Sequence, residues 1–313
     1  MTNNKTRLLI ALVLVGLAAF AFASPKSATP APSGQAFDTP QQAADALVAA
    51  ATADDTAAML KIFGPDGKNI VSSGDPVADK THLATFVEKA KAKTHIAFDV
   101  NDPNRAILEV GDDDWPLPVP IVQKGGKWRY DSKAGMKEIL ARRIGGNELD
   151  AISLLRGYVE AQKEYASSLH DGSKMNQYAQ RWISSPGKQD GLSWKDADGK
   201  PAGPIGDEIA KMLAAGYTNK AEPVNGYYFR TLTAQGPNAR LGARNYIVNG
   251  MMIGGFAAIA WPAKYGSTGV QTFLVNNDGV VYQKDLGPDT GKIAPAMKTY
   301  NPDKTWTVTE DED

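Results

Sequence analysis

Apolar residues at helical spacing open the folded part of this chain. Ala43, Ala44, Leu47, Val48 and Ala51 share one helical face. Thr39-Pro40-Gln41-Gln42 marks the start: Thr39 can cap a free N–H, Pro40 suits the first helical position and Gln42 can complete a capping box. Asp54 or Asp55 restarts a short helix carrying Met59, Leu60, Ile62 and Phe63, which Gly64 can stop. After the turn-rich Gly64–Pro76 a further helix is predicted around Asp79–Lys91. The pattern then changes to short strands at Ile96–Val100, Ala106–Val110, Val119–Gln123 and Lys127–Tyr130, with Gly125-Gly126 as a hairpin turn.

A helix over about Lys133–Ile144 is predicted to end at Gly145-Gly146, which makes that pair the domain boundary. Asn147 can cap a long amphipathic helix with Leu149, Ile152, Leu155, Val159 and Ala166 on one face. Shorter helices are predicted at Met175–Ile183 and Asp207–Ala215, and the polar, turn-rich Ser184–Pro204 reads as an exposed loop. Aromatic and β-branched runs at Gly226–Ala234, Asn245–Asn249, Phe256–Trp261, Gln271–Asn276 and Val280–Lys284 predict strands. Asn277-Asp278-Gly279 joins the last two as a hairpin. The fold class is α+β: a cone-like helix and curved-sheet unit over 36–146, then a long helix with an antiparallel sheet over 147–313.

The opening "TPQQAADALVAAATADDTAAMLKIF" with the closing "KGGKWRYD" resembles exported nuclear-transport-factor-two-like, cone-shaped domains. "AISLLRGYVEAQKEYA", "NGYYFRTLTAQ" and "TGVQTFLVNNDGVVYQKD" resemble the globular heads of type II secretion pseudopilins. A pilin helix begins with a long apolar stalk. This one is internal and amphipathic, so the likeness implies a head without polymerisation. Over nearly the whole chain, strings such as "DDWPLPVPIV", "RRIGGNELDAI", "YAQRWISSPGKQDGL" and "NGMMIGGFAAIAWPAKYGSTGVQTFLVNNDGVVYQKDLGPDT" resemble a bacterial exported family known only as a domain of unknown function, number 2950. That resemblance implies export and an envelope setting, and brings no reaction with it.

Met1–Ala23 has the parts of a secretory signal: Lys5 and Arg7, an apolar run from Leu8 to Phe22, and the small-x-small pattern Ala21-Phe22-Ala23. Ser24–Gln35, SPKSATPAPSGQ, reads as a flexible tether. The expected location is periplasmic or secreted, with no membrane contact beyond the signal. Cleavage after Ala23 leaves 32 basic against 35 acidic side chains, a formal −3. With no basic excess to neutralise phosphates, nucleic acid is not an expected partner. An envelope protein or a glycan is. Among 313 residues there is no Cys, which excludes disulfides, thiolate metal sites and cysteine nucleophiles.

Motifs for chemistry are incomplete. Gly287-Pro-Asp-Thr-Gly-Lys292 is one residue short of a phosphate loop, and Ile293 stands where Ser or Thr is needed. Asp196-Ala197-Asp198-Gly199 lacks the first ligand and the closing Glu of a calcium loop. The leading reading is therefore a non-enzymatic binding module without a cofactor. Two alternatives name residues. A small-ligand site or hydrolase in the first unit would use His95, Asp99 and Glu109 as strand-borne acid–base groups. Trp115, beside Asp112-Asp113-Asp114, could stack on a ligand there or close the core; the acidic run itself reads as a solvated loop. A calcium-stabilised module would gather His170, Asp171, Asn176 and Asp190. Of the aromatic set Tyr178, Trp182, Trp194, Tyr227, Tyr228, Tyr246, Trp261 and Tyr265, most are expected in cores, with Tyr265 as the exposed, ligand-facing member.

Overall fold

The computed structural model describes residues 34–72, 76–205 and 223–310. The expected secretory signal, nearly all of the expected tether and the helix expected at 207–215 lie outside the described residues. The tether's last residue is already part of the fold: the Gln35 N–H donates to the carbonyls of Lys61 and Ile62, at 3.1 and 3.2 Å.

Helix α1 (Pro40–Thr52) starts as its sequence dictates, with Thr39 Oγ1 accepting from the Gln42 N–H at 3.1 Å. Gln42 reaches back one residue further than a capping box, to the Asp38 N–H. Asp55 caps α2 (Thr56–Phe63), and Gly64, at φ 70°, stops it. Helices α3 (Lys68–Val71) and α4 (Pro76–Ala92) follow. The first sheet contains β1 (Thr94–Asp99), β2 (Asp102–Val110), β3 (Trp115–Pro116), β4 (Ile121–Lys124) and β5 (Lys127–Tyr130). Its antiparallel order is β1-β2-β4-β5, with β3 on β2. One face packs on the helices: Ala106, Leu108, Val110 and Ile121 are buried among Ala43, Leu47, Ile62 and Phe63. The opposite face stays half-open, as period-two alternation requires.

Helix α5 (Ser132–Tyr165) runs for 34 residues straight through Gly145-Gly146, where the sequence predicts a stop. Glycine costs only about 1 kcal/mol against alanine inside a helix, and ordered turns on both sides carry α5 across. Asp131 caps its start, and Ser132 Oγ donates to the Phe63 carbonyl at 2.7 Å. Its far half seals a second buried cluster through Ala151, Leu155, Tyr158, Val159 and Tyr165. That stripe is rotated from the expected one, and Leu149 is exposed.

The stretch expected as helix and then loop is a small sheet instead: β6 (Arg181–Ile183), β7 (Gly191–Lys195) and β8 (Pro201–Ala202), with β6 parallel to β7. Tertiary bonds override the helical spacing of Tyr178, Ala179 and Trp182. The Tyr178 N–H donates to Met252 O, while Gln162 on α5 takes both backbone groups of Ala179 at 2.8 Å. Leu192, inside the expected loop, is fully buried.

Five more strands build the larger sheet or lead into it: β9 (Tyr227–Leu232), β10 (Ala234–Gln235), β11 (Arg244–Asn245), β12 (Ile247–Val248) and β13 (Met251–Met252). Then come β14 (Ala257–Pro262), β15 (Gln271–Asn276), β16 (Tyr282–Asp285), helix α6 (Thr290–Ala296) and β17 (Thr307–Val308). The larger sheet has antiparallel order β17-β16-β15-β14-β9. Helix α5 covers one face, with Tyr158 Oη near Thr231 Oγ1 at 3.4 Å. The carbonyls at the end of α6 lie over the other, held by the Arg230 guanidinium through Pro295 O at 2.8 Å and also Met297 O. The fold is α+β, and no described helix is long and apolar enough to cross a membrane.

Candidate functional site

Two turns build a cleft at one end of the larger sheet. The first is Asn276–Gly279 between β15 and β16, where the Asp278 N–H donates to Asn276 Oδ1 at 3.1 Å and Gly279 takes φ 82°. The second is the loop after β10, closed by Leu241 and Gly242 at φ 73° and 74°. Gln235, buried at its base, fixes that loop. Its amide donates to the carbonyls of Arg240 and Gly242 at 2.7 and 2.6 Å and accepts from Tyr246 Oη at 2.9 Å. Arg240 is thereby aimed at Asp278, pairing Nη2 with Oδ1 at 2.7 Å and Nε with Oδ2 at 3.1 Å.

The cleft has a volume of about 460 Å³ and is lined by Asn238, Arg240, Asp278, Val280, Tyr282 and Tyr300, with Pro302 at its side. Register places it on the face away from α5: Tyr282 pairs with Leu274, which lies across from Ile259 and Arg230 on the α6 side. The hydrogen-bonded guanidinium of Arg240 holds the Asp278 carboxyl below the usual carboxylate range, against the desolvation that would raise it. Arg244 also lowers it electrostatically. Burial pushes the Tyr300 hydroxyl up and that of Tyr246 to about 12, so both are neutral donors at ordinary pH. The arrangement is rich in hydrogen-bond donors, and its one carboxylate is already engaged.

Sequence reasoning selects none of the residues that line the cleft, and it places Tyr246 behind them only as an aromatic expected in a core. The Asn277-Asp278-Gly279 turn was legible as a hairpin, and two arginines in the loop "ARLGAR" were the available signal. Their meeting with Asp278 depends on long-range pairing.

The residues that were selected fall elsewhere. His95 and Glu109 are cross-strand partners on the outer face of the first sheet, with His95 exposed. Asp99 binds the Asn101 N–H at 2.9 Å and lies 3.6 Å from Arg105. These three therefore stand on the side of the sheet away from its buried cluster. Trp115 does not close the core: it is 37% exposed, and the Arg142 guanidinium lies 5.4 Å from its ring centre. Asp113 and Asp114 beside it are tied to Lys89 of α4 and to Lys93 just after it. Tyr265 is half-buried rather than exposed, with its hydroxyl 3.1 Å from Asp285.

The four residues of the calcium reading share one region but serve different partners. His170 stacks on Tyr165 at 3.9 Å, and its Nε2 faces the Tyr165 carbonyl at 2.9 Å. Asp171 accepts from the Gln189 N–H. Asp190 accepts from the Ser185 N–H at 2.7 Å and Oγ at 2.9 Å. Asn176 lies on the exposed segment before β6. Among the described residues no group of three or more His, Asp or Glu is placed to hold a metal.

Fold and site together define an α+β protein with two buried clusters, one long shared helix and a donor-rich cleft on its second sheet. The chain belongs to the family described as "Protein of unknown function (DUF2950)", whose model matches residues 34–309. Neither the curated proteins nor the solved structures contain a match.

Proposed function

We propose that this protein is an exported component of the bacterial envelope that acts by binding, and that the cleft between Arg240 and Tyr282 is its ligand site. The observation that carries this reading is the lining. It offers a guanidinium, two tyrosine hydroxyls and an amide around a space of about 460 Å³, within the usual size of small-ligand pockets. Its charged members, Arg240 and Asp278, neutralise each other, which suits recognition better than proton transfer. The secretory pattern at Met1–Ala23 and the tether after it support export. The two buried clusters support a division into units 36–146 and 147–313 that share α5. Helices before a meander, and a long helix against an antiparallel sheet, suit the cone-like and pilin-head likenesses.

Hydrogen exchange on the mature chain, with and without a soluble envelope extract, tests the site. New protection confined to 236–243 and 276–282 is the expected result. Protection elsewhere with none in these segments rejects the cleft. A mature N-terminus other than Ser24, found by mass spectrometry of the exported protein, rejects the predicted processing.

A further inference from the structure

The donor side of the cleft is larger than its own carboxylate can use. A guanidinium carries five N–H donors. Arg240 spends two on Asp278, which leaves three without a protein acceptor among the described residues. Arg244, which starts β11 opposite Gln235 just outside the cleft's lining, has none of its donors paired among the described residues, and its Nε is shielded from solvent. Its guanidinium rests 5.9 Å from the centre of the Tyr246 ring, and its charge acts on Asp278. A shielded, unpaired guanidinium N–H is costly unless an acceptor arrives. The group thus carries two positive charges against one negative. Val280, Tyr282 and Pro302 line the same cleft, an amphipathic surface suited to a ring whose faces are apolar and whose edges are hydroxylated.

We propose that the cleft binds a sugar acid, its carboxylate received by the free N–H groups of Arg240, with the positive charge of Arg244 behind it, and its ring laid against Tyr282. A carboxylate matches the planar fork of a guanidinium with two parallel hydrogen bonds. Asp278 already shows that match on Arg240, leaving the outward donors for the ligand. The Tyr282 and Tyr300 hydroxyls and the Asn238 amide then serve the ring oxygens. The space admits roughly one or two sugar rings, so a monosaccharide or disaccharide unit is the recognised element. This deepens the binding reading above and rests on it.

Calorimetry on the full mature chain tests it with N-acetylmuramic acid and N-acetylglucosamine, sugars that differ by one carboxylate-bearing ether. The acid is expected to bind at least tenfold more tightly. Arg240→Gln should weaken the acid about tenfold more than it weakens the neutral sugar, and Arg244→Gln should weaken the acid about threefold, with thermal unfolding confirming that both variants fold. If both sugars bind equally, or if both folded variants bind the acid like the parent, the carboxylate inference falls while the cleft stands as a binding site. Absence of acid binding overturns the inference. When neither sugar binds and 236–243 and 276–282 also show no protection by envelope extract, the binding reading falls with it.

Discussion

The two sheets solve burial differently. The first is covered on one side only: along β2, Ala106, Leu108 and Val110 are buried while Arg105, Ile107 and Glu109 are partly open. In the second, Ala257–Ala260 and Thr272–Asn276 are buried at every position, because α5 and α6 lie on opposite faces. A one-sided sheet can vary its outer face freely but has less room beneath it for a ligand. A two-sided sheet is intolerant along its middle and is left an end for its functional surface, where turns and strand ends supply the side chains. The cleft at Asn276–Gly279 is at such an end.

The sharpest way to break this contrast is a charge at matched positions. Ala258→Asp in β14 is expected to prevent folding, since a buried unpaired carboxylate has no compensation there. His95→Asp on the outer face of β1 should shift stability by no more than about 0.5 kcal/mol. Circular dichroism during thermal unfolding reads both.

Next in size, Leu108→Ala should cost about 3 kcal/mol by leaving a cavity under the first sheet. Hydrogen exchange should accelerate through 37–130 and stay slow across β14 and β15 if the clusters are separate cooperative units. Uniform acceleration would show a single one. Gln162→Leu removes the amide that holds Ala179 and Tyr158 and should cost about 2 kcal/mol, mostly from backbone groups left unpaired. Its mark should be faster exchange in β6 and β7 rather than in the first sheet.

A pH titration separates the clusters further. Burial pushes Tyr158, Tyr165 and Tyr246 to about 12, above the value near 10 of an unfolded tyrosine. A raised pKa means that the unfolded chain releases its protons first. The stabilisation is therefore complete below about pH 10 and drains away between about pH 10 and 12. Denaturant midpoints measured across that window should fall, and exchange in the second cluster should respond more strongly, because burial raises several tyrosines there against Tyr130 in the first. The smallest effect is a gain. Gly145→Ala and Gly146→Ala meet nothing within 4 Å, so each should stabilise α5 by about 1 kcal/mol. A loss would mean that the pair bends in solution.

Local chemistry was readable in advance wherever it was self-contained. Thr39 and Asp55 as caps, Gly125-Gly126 as a hairpin turn and Gln271–Asn276 as a strand needed only their neighbours. The misreadings share a different cause. Met175–Ile183 has helical spacing, but Gln162 and Met252 claim its backbone from a distance. Ser184–Pro204 is dense in turn residues, yet Leu192, with Trp194 packed against the same cluster, carries β7 into the core. The cleft escaped for the same reason: Arg240 and Asp278 stand 38 positions apart, and neither belongs to a motif.

Helix α5 has a consequence for how such a chain could be inherited. Its first turn is tied to the first cluster by Ser132, and its last turns close the second through Tyr158 and Tyr165. At about 1.5 Å per residue it is a rod roughly 50 Å long, without a loop at its midpoint. Recombination favours joints where a gene can be cut and both pieces still close their own surfaces. Here a cut at Gly146 splits a continuous rod and leaves each piece with a frayed end. The two halves should therefore travel together as one heritable unit rather than as cassettes exchanged among other proteins.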